Sequence, residues 1–149
     1  MFKLLICLSI ALSGVAIDTA KADTRSNENK RLVLEFYDMA FSKHQPAEAA
    51  RIYLGKVYKQ HNPRVPDGPE IFAQFFENFF KQNPTVSNDV KRVIAEDDLV
   101  AIHSHSRMGA DDRGRAIIDI FRVEDGKIVE HWDVIQSVPE TSANKNSMF

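Results

Sequence analysis

The chain predicts an α+β domain: helices packed on one face of a curved antiparallel sheet. Two observations predict it. Apolar residues recur at helical spacing through the first half, and the period falls to two after Asn83-Pro84, where four strand-like runs follow in succession. Helices first and a strand meander second make an α+β arrangement, with no internal repeat to suggest an array.

The first residues stand apart from that pattern. Lys3 precedes an almost wholly apolar run from Leu4 to Ile17, and Ala20-Lys21-Ala22 forms a small-x-small site. This is the pattern of a secretory signal peptide cut after Ala22. The run is short for a membrane span, which needs about 20 residues, so no stable anchor is expected after cleavage. The expected organisation is a leader at 1–22, a domain at 23–138 and a flexible tail at 139–149, with a secreted or periplasmic location. Cys7, the only cysteine, leaves with the leader, and so the mature chain has no thiol ligand and no disulfide. The full chain carries a formal charge of −2 and has no basic stripe, which argues against a nucleic-acid partner.

A first helix is expected from Ser26 or Asn27, whose side chains can cap it, with Val33, Phe36, Tyr37, Ala40 and Phe41 as its apolar face. His44 lies in a linker and reads as exposed. Pro46 suits the first position of a second helix running to about Leu54, with Gly55 closing it. Val57 to Asn62 reads as a short extended piece, and Pro63 to Gly68 as a loop. Pro69 opens a third helix with Phe72, Phe75, Phe76, Phe79 and Phe80 in one stripe. The stripe reads first as core, but Phe72 and Phe76 also suit the wall of an apolar ligand cavity. The four strands are expected at 89–95, 99–107, 115–123 and 127–137.

The last two strands carry ionisable groups inside apolar runs: Asp119 on one, and His131, Trp132 and Asp133 on the other. Such groups are costly to bury, so they mark either a solvated face or a chemical site. Register decides between them, because a one-residue slip moves a side chain across the sheet. Glu124-Asp125-Gly126 fits a three-residue turn with Gly126 left-handed, which places Asp119 opposite His131 and Ile117 opposite Asp133. A two-residue Asp125-Gly126 turn instead pairs Asp119 with Trp132 and turns His131 away. The first register is preferred. With odd-to-odd pairing to the preceding strand, it gathers His103, His105, Asp119, His131 and Asp133 on one face. Leu99, Ala101, Ile117, Phe121 and Ile135 share that phase, so the face mixes apolar lining with a few polar groups, as ligand pockets do.

Three stretches resemble SnoaL-like proteins of the nuclear transport factor 2-like superfamily: Tyr58-Lys59-Gln60-His61-Asn62-Pro63 with Pro66-Asp67-Gly68, Val100 to His105, and Asp119 to Gln136. The resemblance spans about residues 29–139, and the last stretch is its specific part. It implies a cone-shaped fold, a strongly curved sheet around a cavity closed by helices, and dimers through the sheet. It also implies that Asp119 matches the acid/base aspartate of the polyketide cyclases, and that His105 or His103 matches an accompanying histidine. In the related ketosteroid isomerases, the aspartate at this position is held neutral and donates to an enolate oxygen, an enzyme that serves as a general example of such tuning. The separate aspartate base of those isomerases has no match.

Aldol closure or isomerisation needs a base at a C–H next to a carbonyl and a donor at the oxygen that gains charge. Burial in an apolar cone favours a neutral carboxyl, and an imidazole beside it can take or return a proton. The expected catalytic set is therefore Asp119, His105, His103 and His131. His61, Tyr58, Asp133, Phe72, Phe76 and Trp132 are expected to bind substrate, and no cofactor or metal is required. The leading expectation is a cofactor-free lyase or isomerase of a small carbonyl compound. A non-catalytic exported binding protein for an apolar ligand is the second. A zinc site built on His103, His105, His131 and an aspartate is the third.

Overall fold

The computed structural model describes residues 13–149. Lys3, Cys7 and most of the apolar run of the expected leader lie outside them. Helix α1 spans Ser13–Tyr37, so the start expected at Ser26 or Asn27 is corrected: those residues lie inside a continuous helix. No described helix is long and apolar enough to cross a membrane. The predicted apolar face holds, with Val33, Phe36, Tyr37 and Ala40 all buried. A π-helical turn, Asp38–Ser42, follows α1 and carries Ala40 and Phe41 onward into the core.

Helix α2, Pro46–Tyr53, begins on its proline as expected. It ends where Leu54 turns extended, and Gly55 is not its cap but part of strand β1, Leu54–Gln60. Helix α3 spans Pro69–Gln82 and is closed by Asn83, whose amide nitrogens, main chain and side chain, both donate to Phe79 O. The meander follows: β2 Ser87–Glu96, β3 Leu99–Arg107, β4 Arg115–Glu124 and β5 Lys127–Ser137. The sheet order is β1-β5-β4-β3-β2. Strands β2 to β5 pair antiparallel, but β1 adds parallel to β5, so the sheet is mixed and open rather than wholly antiparallel. The architecture is an α+β cone, with the helices filling its concave side.

Aromatic side chains join the two layers. Phe36 of α1 meets Phe121 of β4 edge-on at 5.7 Å and Phe72 of α3 at 5.5 Å. Val100 and Ile102 of β3 complete the contact, all fully buried. Burying a side chain such as Phe36 contributes about 1.5–3 kcal/mol.

The last hairpin takes the two-residue turn of the second expectation, but beyond Val123 its register differs from both. Glu124 pairs with Lys127, so the turn has two residues, Asp125 at φ 50° and Gly126 at φ 70°. Left-handed values at both positions are those of a type I′ turn, whose twist suits a hairpin. Alone, this turn would send His131 to the face away from Asp119. Val129 prevents that. Val123 pairs with Ile128 but Arg122 pairs with Glu130, leaving Val129 as an extra, bulged residue. Beyond the bulge Phe121 faces His131 and Asp119 faces Asp133. Asp119 and His131 thus share the concave face, though as diagonal neighbours rather than a direct pair.

Gly55 explains how the bulge is accommodated. A Cβ on it would lie 3.0 Å from Val129 Cγ1 and 3.2 Å from Val57 O. The bulge rests on this bare stretch of β1, where the β1–β5 register also slips.

Between β3 and β4 the expected odd-to-odd pairing is overturned. Ile102 pairs with Asp119, His103 with Ile118 and His105 with Ala116. Val100, Ile102, Ser104 and Ser106 therefore face inward, and His103 and His105 lie on the convex face. The loop before β4 sets this pairing, and Gly114 at φ +82° is needed there because a Cβ would collide with Ser106 O and His105 Nε2. The tail, expected to be loose, lays Phe149 against the convex face, its ring 4.1 Å from that of His105 and 5.7 Å from that of His103.

Candidate active site

A cavity of about 200 Å3 lies between α3, the end of α1 and the concave sheet. All five phenylalanines of the α3 stripe line it, so the stripe is both core and wall. Its deep end holds Tyr37, Tyr58, Asp119 and His131, each less than a tenth exposed. Its mouth, where Phe75 and Ile135 become accessible, carries Asn62, Arg64, Arg115 and Asp133. A larger open groove of about 720 Å3 runs between α1 and the β4–β5 turn, lined by exposed charges such as Arg25, Glu28 and Glu124. Its lining includes none of Tyr37, Tyr58, Asp119 and His131, so the smaller cavity is the candidate site.

Asp119 is the centre of the network. Its Oδ2 lies 3.1 Å from Tyr37 Oη, and its Oδ1 lies 3.1 Å from His131 Nε2. Tyr37 Oη is also 2.8 Å from Ser104 Oγ. Burial, and next the charge of Asp119, push the Tyr37 phenol well above its ordinary pKa, so it stays a neutral hydroxyl. Tyr58 is raised for the same two causes, with the Gln60 side chain a smaller opposing influence. Its hydroxyl is buried at the cavity wall and makes no hydrogen bond of normal geometry. It is a donor without an acceptor, which costs stability unless a ligand supplies one.

The second nitrogen of His131 fixes how many protons the pair holds. His131 Nδ1 lies 2.7 Å from Gln60 Oε1, and that same oxygen accepts the Asn62 main-chain N–H at 3.1 Å. A main-chain N–H can only donate, so the atom facing it is the oxygen of the amide. His131 Nδ1 must then carry a hydrogen, and the contact between Nε2 and Asp119 Oδ1 holds a single proton. Either Asp119 is a neutral acid donating to a neutral imidazole, or an imidazolium donates to a carboxylate. Both forms put one transferable proton at the bottom of an apolar cavity.

The predicted residues divide by face. Asp119, His131, Tyr58, Asp133, Phe72 and Phe76 all line the cavity. Asp133 Oδ2 accepts from Asn62 Nδ2 at 2.5 Å. His103, His105, His61 and Trp132 do not line it. His103 Nδ1 accepts from Arg92 at 2.7 Å, and His105 Nε2 donates to Arg113 O at 2.8 Å, both on the convex face. His61 is exposed, bonded to Glu130 at 2.9 Å and stacked on Trp132 at 4.8 Å. Trp132 points outward because it follows the inward His131 in a strand. His44, expected to be exposed, is partly buried, stacked on Phe80 at 4.1 Å and bonded to Val86 O.

Sequence reasoning missed Tyr37, Gln60, Asn62, Ser104, Arg64 and Arg115. For Gln60 a signal existed: it shares the strand phase of Tyr58, whereas His61 has the opposite one. Tyr37 is hidden because a buried tyrosine on a helix face reads simply as core. A His103–His105–His131 zinc set is not assembled, since the sheet separates its members. The ligand atoms of Asp119, His131 and Asp133 do lie within 4.8 Å of one another. An ion there would displace the proton between Asp119 and His131 and compete with Asn62 for Asp133.

The comparisons agree with this architecture. The fold of a proposed polyketide cyclase from Bacillus cereus ATCC 10987 superposes with TM-score 0.65 at 21% identity, covering 79% of this chain and 80% of that one. An NTF2-like protein from Mesorhizobium loti gives 0.63 at 23%, covering 76% and 94%. A proposed ketosteroid isomerase from Kribbella flavida DSM 17836 gives 0.62 at 15%, covering 80% and 85%. No protein of curated function matches. The profile of one family, SnoaL-like polyketide cyclase, matches residues 31–141, from the apolar face of α1 through the whole sheet, and the chain belongs to that family.

Proposed function

We propose that the protein is a cofactor-free lyase or isomerase acting on a small carbonyl compound, with Asp119 and His131 as its acid/base pair. The single proton held between Asp119 Oδ1 and His131 Nε2, in an apolar cavity, carries this reading. In the ion-pair form the carboxylate takes a proton from the carbon next to a carbonyl, and the C–H electrons move to the carbonyl oxygen as an enolate. The enolate either recovers the proton at another carbon, which is isomerisation, or attacks a second carbonyl, whose new alkoxide takes the proton, which is aldol closure. Tyr58 supplies the donor that the enolate oxygen needs, since its hydroxyl is neutral and otherwise unpartnered. The expected leader would export the protein. Exposed Ile94, Ile118 and Val134 on the convex face support pairing of two copies through the sheet.

The test is exchange of the α-protons of 2-tetralone in D2O, followed by NMR. The protein is expected to accelerate exchange over buffer, and Asp119→Asn to lower the rate by about 10²–10⁴. A folded Asp119→Asn variant with full exchange activity removes Asp119 from the mechanism. Binding of 2-tetralone without accelerated exchange points to a ligand carrier instead.

A further inference from the structure

Charge at the cavity mouth narrows the class of substrate, an inference that rests on the acid/base reading of the deep end. Arg115 opens β4 in the same inward phase as Ile117, Asp119 and Phe121, and is half-buried. Arg64 lies in the loop after β1, where Asn62 Oδ1 accepts its main-chain N–H at 2.9 Å. Both side chains line the cavity. Three arginines elsewhere are paired with acids: Arg25 with Asp97, Arg51 with Glu48, and Arg122 with Glu124 and Glu130. Among the described residues the guanidinium groups of Arg64 and Arg115 have no such partner.

The acids near them are already engaged. Asp112 feels the charge of Arg115, but its carboxylate accepts main-chain N–H groups from Met108 at 2.8 Å and Gly114 at 3.0 Å. Asp133, on the cavity wall, is held by Asn62. Two planar, five-donor cations thus stand free at the mouth of a pocket whose walls are phenylalanine and isoleucine. Guanidinium groups match carboxylates in shape and bind them with charge-assisted hydrogen bonds. Along β4, Arg115 and Asp119 are four positions apart, so their Cα atoms lie about 13 Å apart on one face. Ile117 lies between them on β4, and Ile135 opposite it on β5.

We propose that the cavity takes an organic carboxylate with an apolar or aromatic body: Arg115, aided by Arg64, holds the carboxylate at the mouth, and the body delivers a carbonyl and its acidic C–H to Asp119 and His131. The two ends are then fixed at once, which orients the reacting carbon without a lid. Arg115 is the main determinant, because Arg64 is exposed and its field is screened by solvent and salt.

The probes are 4-phenylbutanoate and 4-phenylbutan-1-ol, which share a body and differ in charge, titrated into the full-length protein by calorimetry. The acid is expected to bind at least about tenfold tighter than the alcohol. Arg115→Gln is expected to remove most of that preference by weakening the acid far more than the alcohol, with an unchanged circular dichroism spectrum reporting that the fold is intact. Arg115→Lys is expected to keep part of it. Absence of acid binding, equal affinities for acid and alcohol, or a preference that survives the Arg64→Gln/Arg115→Gln double variant overturns the proposal. Asp119→Asn separates the two readings. If it abolishes exchange of 2-tetralone and the acid preference is absent from the wild type, only the carboxylate site falls. If it leaves exchange intact while the acid preference holds, only the acid/base role of Asp119 falls.

Discussion

Two faces of one sheet carry histidines a strand's thickness apart, and their surroundings are opposite. On the concave face His131 is buried, anchored through Nδ1 by an amide oxygen and facing a carboxyl through Nε2. On the convex face His103 meets a guanidinium and His105 a main-chain carbonyl, and both stack on Phe149. An imidazole against a carboxyl shares a proton. An imidazole against Arg92 is discouraged from taking one: burial first, and then the Arg92 charge, hold His103 below its ordinary pKa. Residue type therefore says little here. The neighbour across the strand gap sets one histidine against a buried carboxyl and makes the other a surface contact.

The most severe way to break this contrast is to delete Trp132. With one residue fewer between them, His131 and Asp133 can no longer both face inward: if the bulge at Val129 stays, residues 133–137 change faces, and if it straightens, Glu130 and His131 do. Loss of the fold is expected, at a cost above about 4 kcal/mol, read from urea denaturation. Deleting Val129 instead removes only the unpaired residue, keeps Phe121 opposite His131 and should leave a folded protein. A Trp132 deletion with the wild-type midpoint would show that register beyond the bulge is not fixed by these inward groups. Next in size comes the exchange assay applied to each face. Asp119→Asn should cost about 10²–10⁴ in rate, whereas the His103→Gln/His105→Gln double variant should stay within about twofold. A comparable loss in both would erase the distinction between the faces.

Gln60 sharpens the comparison further. It positions His131 rather than touching the reacting atoms, so Gln60→Leu should lower exchange about tenfold and shift its pH profile. Gln60→Glu, which keeps an acceptor for Nδ1, should restore most of the rate. Equal loss in both variants would mean that Gln60 acts only through packing. The smallest expected effect is on the convex side. Because the folded value of His103 lies below the unfolded value of about 6.5, the unfolded chain binds more protons between the two. Stability from this group is full above pH 6.5 and is lost as pH falls toward the folded value. His103→Gln should flatten that slope in urea midpoints measured from pH 5 to 8, and an unchanged slope would assign it elsewhere.

How much of this was legible in the sequence depended on which interactions were local. The α3 stripe and the strands of the meander follow from periodicity, and Pro46 and Pro69 mark two helix starts correctly. Asp119, His131 and Tyr58 stand out as polar groups in apolar strands. What failed was parity. The turn at Asp125-Gly126 and the bulge at Val129 each move the pairing by one, and only the first has a sequence signature. The preferred register put Asp119 and His131 on one face, but by a turn the chain does not use. Gly55 looked like a helix cap because its real neighbour, Val129, lies 74 positions away. His103 and His105 were misplaced because the β3–β4 loop, set by Gly114, pairs odd positions with even ones.

The bulge at Val129 also decides where the hairpin can change length. Seven residues link Arg122 to Glu130: two facing pairs, a two-residue turn and one unpaired residue. Loss of the unpaired residue would leave a regular hairpin with Arg122 still opposite Glu130, and a residue gained at Asp125-Gly126 could be taken up as a longer turn. The meeting of Asp119 with His131 is thereby insulated from the tip of the hairpin. Beyond Glu130 there is no such slack, so the tip is where this family fold can tolerate insertions and deletions without touching the cavity.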